Sequence, residues 1–154
     1  MRITTKGRYA LRAITNLALA DSNRPKAIKQ IAGEEQISPE FLEQIFFKLK
    51  KQGIISSVRG PGGGFVLTRE PGTVSVKEIF EAVGEGLDLT PCTTDPENAD
   101  EACARMGECL VYDVWKEASK HINDYFGRLT LEKIVSDNKN RAFESLLAGQ
   151  DFSI

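Results

Sequence analysis

Apolar positions recur along most of this chain at three- and four-residue intervals, and cluster as β-branched runs in one short stretch. In "TKGRYALRAITNLALAD" the residues Leu11, Ile14, Leu17 and Ala18 share a face, which predicts an amphipathic helix over about residues 6–20. Its polar face carries Lys6, Arg8 and Arg12. After the break "DSNRPK", Ile28, Ile31 and Ala32 mark a short second helix. Ser38, Pro39 and Glu40 then read as a helix start, with a hydroxyl N-cap, proline at the first helical position and an acid in the first turn. This third helix runs through "PEFLEQIFFKLKKQ" to Gly53. Leu42, Ile45, Phe46 and Leu49 form its buried stripe, which leaves Ser38, Glu40, Glu43, Gln44, Phe47 and Lys48 to point elsewhere.

The runs "GIISSV" and "GFVLTRE" predict two short strands, with "RGPGGG" as their turn. Ser75 and Glu78 form a capping box for a fourth helix that buries Val76, Ile79, Phe80 and Val83. The following stretch, "LDLTPCTTDPENADEACARMGE", has no sustained period. From Leu110 a long amphipathic helix resumes, with Leu110, Val114, Trp115, Ala118, Ile122, Tyr125 and Phe126 along a broad face that fits a second subunit better than solvent. Thr130 caps one more short helix, "TLEKIVSD", without a capping box because Lys133 stands three positions on. The tail is helical around "RAFESLLA" or frayed. The predicted fold is mostly α with a small β-hairpin. It comprises a winged helix-turn-helix domain (1–84), a cysteine-rich loop (85–109), a dimerisation helix region (110–138) and a C-terminal tail (139–154).

Charge sharpens this division. Residues 1–70 carry twelve Lys and Arg against six Asp and Glu, whereas the remainder carries eight against sixteen. A basic half beside an acidic one suggests a polyanionic partner for the first alone. No apolar run approaches the roughly 18–20 residues that span a bilayer, and "MRITTKGRYALRA" lacks the apolar stretch of a secretory signal, so a cytoplasmic, membrane-free protein is expected. With one histidine, no Ser/His/Asp or Cys/His pairing is available and an enzyme is not expected.

The glycine-rich turn admits three readings. A phosphate-binding loop needs a following Lys-Ser/Thr and a helix, and neither is present. A plain hairpin fits the turn alone. Its place directly after a helix-turn-helix favours a wing, in which glycines let backbone approach phosphates and Arg59 enters the minor groove.

Together "MRITTKGRYALRA", "ISPEFLEQIFFKLKKQGIISSVRGPGGGFVL", "VSVKEIFEAV" and "CLVYDVW" resemble the IscR-type branch of the Rrf-two family of bacterial winged-helix regulators, up to about Asp137. The resemblance implies a homodimer that binds a palindromic operator in double-stranded DNA and holds an iron-sulfur cluster through loop cysteines, 2Fe-2S favoured over 4Fe-4S. Relatives sense cluster demand, nitric oxide, iron or redox state, and a cysteine-metabolism branch works without a cluster. By the same resemblance Glu43 is a base-contacting residue that discriminates between operator classes, and Arg59 is the minor-groove arginine. Ser38, Phe41 and Gln44 match further backbone- or base-contacting positions, and Lys48 with Gly60, Pro61, Gly62 and Gly63 completes the candidate DNA-binding set. Glu40 stands where some relatives have a small hydroxyl residue, which argues against an identical operator.

Cys92, Cys103 and Cys109 are all the cysteines of the chain, and an odd, clustered set points to metal or redox chemistry rather than a disulfide framework. The first spacing is about twice that usual in the family, through an insert near "TDPEN". Where the IscR-like pattern places a histidine ligand, this chain has Tyr112. His121 lies twelve residues after Cys109, about 18 Å along a continuous helix, and reads as a surface or interface residue. The fourth ligand stays open among Glu108, Asp113, Asp95, Asp100, Glu101 or a group from elsewhere in the dimer. Zinc on the three thiolates is the nearest competitor. The rival function is a cluster-free regulator or adaptor controlled by a protein partner, with incidental cysteines.

Overall fold

A computed structural model of the chain describes residues 3–20, 24–94, 103, 105 and 108–148, the last three of these by backbone alone. Helix α1 (Thr5–Leu19) starts at Thr4, whose hydroxyl accepts from Gly7 N at 3.3 Å. Helix α2 (Ile28–Glu35) ends at Gln36, which takes a left-handed conformation, φ 55°. There Ile37 N reaches Ala32 O at 3.0 Å and closes the turn of the helix-turn-helix. Helix α3 (Pro39–Lys51) opens as its sequence requires, with Ser38 Oγ accepting from Phe41 N at 3.2 Å and Pro39 in the first turn. Strands β1 (Ile55–Val58) and β2 (Gly64–Leu67) pair antiparallel, Ile55 opposite Leu67 and Val58 opposite Gly64.

The wing is broader than a two-strand hairpin. Lys26, ahead of α2, exchanges backbone hydrogen bonds with Phe65 at 3.0 and 2.9 Å and acts as a one-residue third strand. Gly64 makes that approach possible, because a Cβ on it would stand 2.3 Å from Lys26 O. The central core joins α1, α2, α3 and β1 through Ile14, Ile31, Leu42, Ile45, Phe46, Leu49, Ile54 and Ile55, all 1% exposed or less. Phe65 seats the wing on α3 by an edge contact with Phe46, ring centroids 5.0 Å apart.

After a 3-10 turn (Pro71–Thr73), α4 (Val76–Val83) is capped by Ser75, whose hydroxyl accepts from Glu78 N at 3.2 Å. Only this half of the expected capping box forms, since the Glu78 carboxylate pairs with Arg69. A second 3-10 turn (Pro91–Thr93) lies in the cysteine loop. Helix α5 (Tyr112–Arg128) follows, and α6 (Leu131–Ala148) comes after only two residues. The short helix expected after Thr130 is thus 18 residues long and includes "RAFESLLA". Its start is fixed by strand-like bonds from Val76 N to Leu129 O, 2.8 Å, and from Leu131 N to Val74 O, 3.0 Å. Leu131 is fully buried in the winged-helix core. No helix among the described residues is long and apolar enough to cross a membrane.

Two glycines separate packing from propensity. Gly64→Ala should lower stability by about 1–3 kcal/mol, because the new methyl meets strand backbone rather than a movable side chain. Gly33→Ala, in α2 with nothing within 4 Å of the added Cβ, should raise it by about 0.5–1 kcal/mol. Denaturant midpoints of the two variants give the comparison.

Candidate nucleic-acid interface and cysteine loop

The third helix divides as its periodicity predicts. Leu42, Ile45, Phe46 and Leu49 are buried, while Ser38, Glu40, Glu43, Gln44, Phe47 and Lys48 are exposed. Phe41 is half-buried, its ring edge-on to Tyr9 at 5.9 Å, so it fixes α3 against α1 as well as bordering the exposed face. Lys48 Nζ lies 3.5 Å from Val83 O at the C-terminal end of α4, which gives this ammonium a place in the scaffold. Lys50 Nζ donates to Ser57 Oγ of β1 at 2.7 Å and links the last turn of α3 to the wing. At the wing tip Arg59, Gly60, Pro61 and Gly62 are exposed and Gly63 is half-buried, with Gly63 N bonded to Gly60 O at 2.9 Å. The exposed residues of α3 and the tip of the wing thus belong to one scaffold.

Charged groups brace that scaffold from behind. Lys26 Nζ, 2.6 Å from both Asn16 Oδ1 and Glu34 Oε2, joins the base of the wing to α1 and α2. Asn16 Nδ2 donates to Glu34 and Glu35 at 2.9 and 2.8 Å. Arg12 pairs with Glu35 at 3.1 Å. The Lys26 ammonium, with donors from Asn16 and Gln30, lowers the Glu34 pKa from 4.5 to about 2.

No periodicity or motif marks Glu85, a polar residue in a glycine-flanked loop. It is 6% exposed, and its carboxylate accepts from Thr4 N at 2.9 Å and from the Thr4 hydroxyl. Gly7 leaves room for it, since a Cβ there would lie 2.7 Å from Glu85 Oε2. The entry to the cysteine loop is therefore tied to the start of α1.

Further along, Leu89 N and Thr93 Oγ1 meet the buried Ser119 hydroxyl of α5 at 3.0 and 3.1 Å. Cys92 Sγ lies 3.1 Å from Thr90 Oγ1. Cys92 and Cys109 are half-buried, Cys103 is exposed, and all three are free thiols. This donor set suits a soft metal or cluster chemically. Among the described residues no three His, Cys, Asp or Glu side chains converge, and the candidate oxygen donors Asp95, Asp100 and Glu101 lie outside those residues. Glu108 and Asp113 are exposed. His121 is 75% exposed beside Glu117, 3.7 Å away on its own helix.

The apolar face of α5 divides between two surroundings. Ile122 and Phe126 pack on Val76, Phe80 and Leu87, with Phe80 and Phe126 edge to face at 5.4 Å. Leu110, Val111, Val114, Trp115 and Tyr125 remain exposed.

The Rrf2 family model, described as an iron-dependent transcriptional regulator, matches residues 3–137. The chain belongs to the Rrf2 family. It is similar to the HTH-type transcriptional regulator IscR of Xenorhabdus nematophila, 38% identical over 139 residues that cover 90% of this chain and 82% of that protein. Among solved structures it resembles T. potens IscR, with 30% identity, a TM-score of 0.71 and coverage of 90% and 88% of the two chains. It also resembles CymR, the global cysteine regulator of B. subtilis, at 27% identity and a TM-score of 0.70, covering 88% and 97%. This Rrf2 chain is a winged-helix DNA-binding transcription regulator and not an enzyme.

The Glu34 tie has a pH signature. Its depressed folded-state pKa makes its stabilisation complete above about pH 4.5 and loses it as pH falls towards 2. Because the Glu34 side chain is 42% exposed, solvent screening limits the contribution to at most about 1 kcal/mol. Glu34→Gln should flatten the stability profile between these pH values, measured by urea denaturation.

Proposed function

We propose that this Rrf2 regulator acts in the cytoplasm as a homodimer on a palindromic operator, and that an iron-sulfur cluster held through Cys92, Cys103 and Cys109 controls its binding. A 2Fe-2S cluster is favoured over 4Fe-4S. The observation that carries the reading is that the three free thiols fall in the segment of the chain between the winged helix and α5, whose start leaves Val111, Val114 and Trp115 open for a second subunit. The bound cluster would supply sensitivity to iron, redox state or nitric oxide.

The chain's own residues supply the rest. Ser38, Phe41, Glu43, Gln44 and Lys48 present α3 to the major groove, where the Glu43 carboxylate accepts from a cytosine amine and repels phosphate, so that it selects sequence at some loss of affinity. Arg59 enters the minor groove from the wing, and Gly60, Pro61, Gly62 and Gly63 let its backbone approach the phosphates. Two copies of α3 about one DNA turn apart, or a multiple of it, call for an imperfect palindrome. Glu85 holds the entry of the loop on Thr4 and Ser119 holds it on α5, which gives the loop two mechanical connections to the DNA-binding domain and the dimer helix.

The likeness to CymR favours a second reading, in which the regulator works without a cluster under the control of a protein partner and the cysteines bind zinc or nothing.

Anaerobic purification separates the two. Visible absorption with bound iron and sulfide supports the cluster, whereas a colourless zinc protein overturns it. Replacing all three cysteines by alanine should abolish both the iron content and the difference between holo and apo affinity in salt-matched titrations. Equal affinities of native holo and apo protein would refute sensing. Arg59→Ala should weaken operator binding by about 1–3 kcal/mol, most strongly at A/T-rich flanks, with iron content unchanged.

A further inference from the structure

Phe47 is 69% exposed in the third turn of α3, more than Leu19 (48%) or Val58 (43%), the other large exposed apolar side chains of the winged-helix region. Phe46 beside it fills the core, so the helix has no need of a second phenyl for packing. By helical spacing Phe47 shares its face with Glu43 and Gln44 one turn before it and with Lys50 and Lys51 one turn after it. All four neighbours are exposed and polar, and Phe47 stands among them as a lone apolar group. The contiguous apolar run of Leu110, Val111, Val114 and Trp115 at the start of α5, proposed above to meet a second copy, looks different.

The surroundings select the occupant. Lys48, Lys50 and Lys51 make the last turn of α3 basic, and Lys50 is bonded to Ser57 of the wing, which complements a phosphate backbone running past the helix. In the major groove of duplex DNA the apolar group on offer is the thymine C5 methyl, and an aromatic side chain is one of its recognised partners. We propose that Phe47 reads a thymine methyl in the operator and adds a specificity contact to those of Glu43 and Gln44. This rests on the proposal that α3 enters the major groove. Removing either the phenyl or the methyl should remove the same contact.

The full chain is used to select from a random-sequence duplex pool at fixed ionic strength, and the enriched duplex is resynthesised with deoxyuridine replacing each thymine in turn. Native protein should lose about fourfold in affinity at one or more positions, as expected for burying one methyl group. Phe47→Ala should bind the thymine and deoxyuridine forms of those positions equally, with an unchanged unfolding midpoint. An enriched duplex indifferent to every substitution, or equal sensitivity in native protein and Phe47→Ala, overturns the contact while leaving DNA reading intact. A Phe47→Ala protein with altered oligomeric mass and unaltered DNA affinity overturns it in favour of a protein contact. Failure to enrich any sequence overturns both the contact and the sequence-reading role beneath it.

Discussion

The edge contact between Phe46 and Phe65 is the joint on which the winged-helix half depends. Phe46 projects inward from α3 and is fully buried, and Phe65 comes from β2, so one pair of rings sets how the helix and the wing are disposed. Lys26 completes the joint, its backbone pairing with Phe65 while its ammonium engages Asn16 and Glu34. The inner face of α3, the wing and the helix-turn-helix therefore form a single packed unit, which frees the outer face of α3 to vary without loss of fold. Leu131 extends that unit into α6, because it is buried in the same core.

A second constraint acts on α5. The helix has more apolar surface than the winged helix can cover, and the division falls along its length. Ile122 and Phe126 are used internally, and the residues around Val114 and Trp115 are left outside, with Tyr125 exposed beside the covered pair. The helix carrying the open surface is thereby fixed in orientation by its covered end. Glu85 does the corresponding work for the loop, since a buried carboxylate accepting from a helix N-cap resists displacement more than an exposed ion pair does.

Much of this was legible in the sequence. The Ser38-Pro39-Glu40 start, the Leu42 to Leu49 stripe and the glycine-rich turn each encode local geometry, and the structure follows them closely. What escaped was non-local. Glu78 has the right spacing for a capping box, but Arg69 takes its carboxylate. Lys48 looks like a free surface cation by periodicity and lies against Val83 O across a helix junction. The third strand at Lys26 is one residue long and leaves no periodic trace. Helix α6 is longer than the spacing predicts because the polar run SDNKNR, 136–141, interrupts the apolar pattern, although the segment lacks any helix breaker through Ala148. Spacing could nominate Cys92, Cys103 and Cys109 as ligands, but a ligand geometry depends on where a loop without periodicity closes.

The two ends of the molecule are held by different chemistry. Among α1, α2 and the base of the wing the ties are ionic, running through Arg12, Glu35, Asn16, Glu34 and Lys26. At the mouth of the cysteine loop they include a chain of neutral hydroxyls, from Ser119 through Thr93 to Thr90, of which Thr90 meets the Cys92 thiol. Ionic strength weakens exposed ion pairs and leaves neutral hydrogen bonds almost untouched. A rise in ionic strength therefore loosens the ties among α1, α2 and the base of the wing while the hydroxyl contacts that link Leu89 and Thr93 to Ser119 of α5 keep their strength.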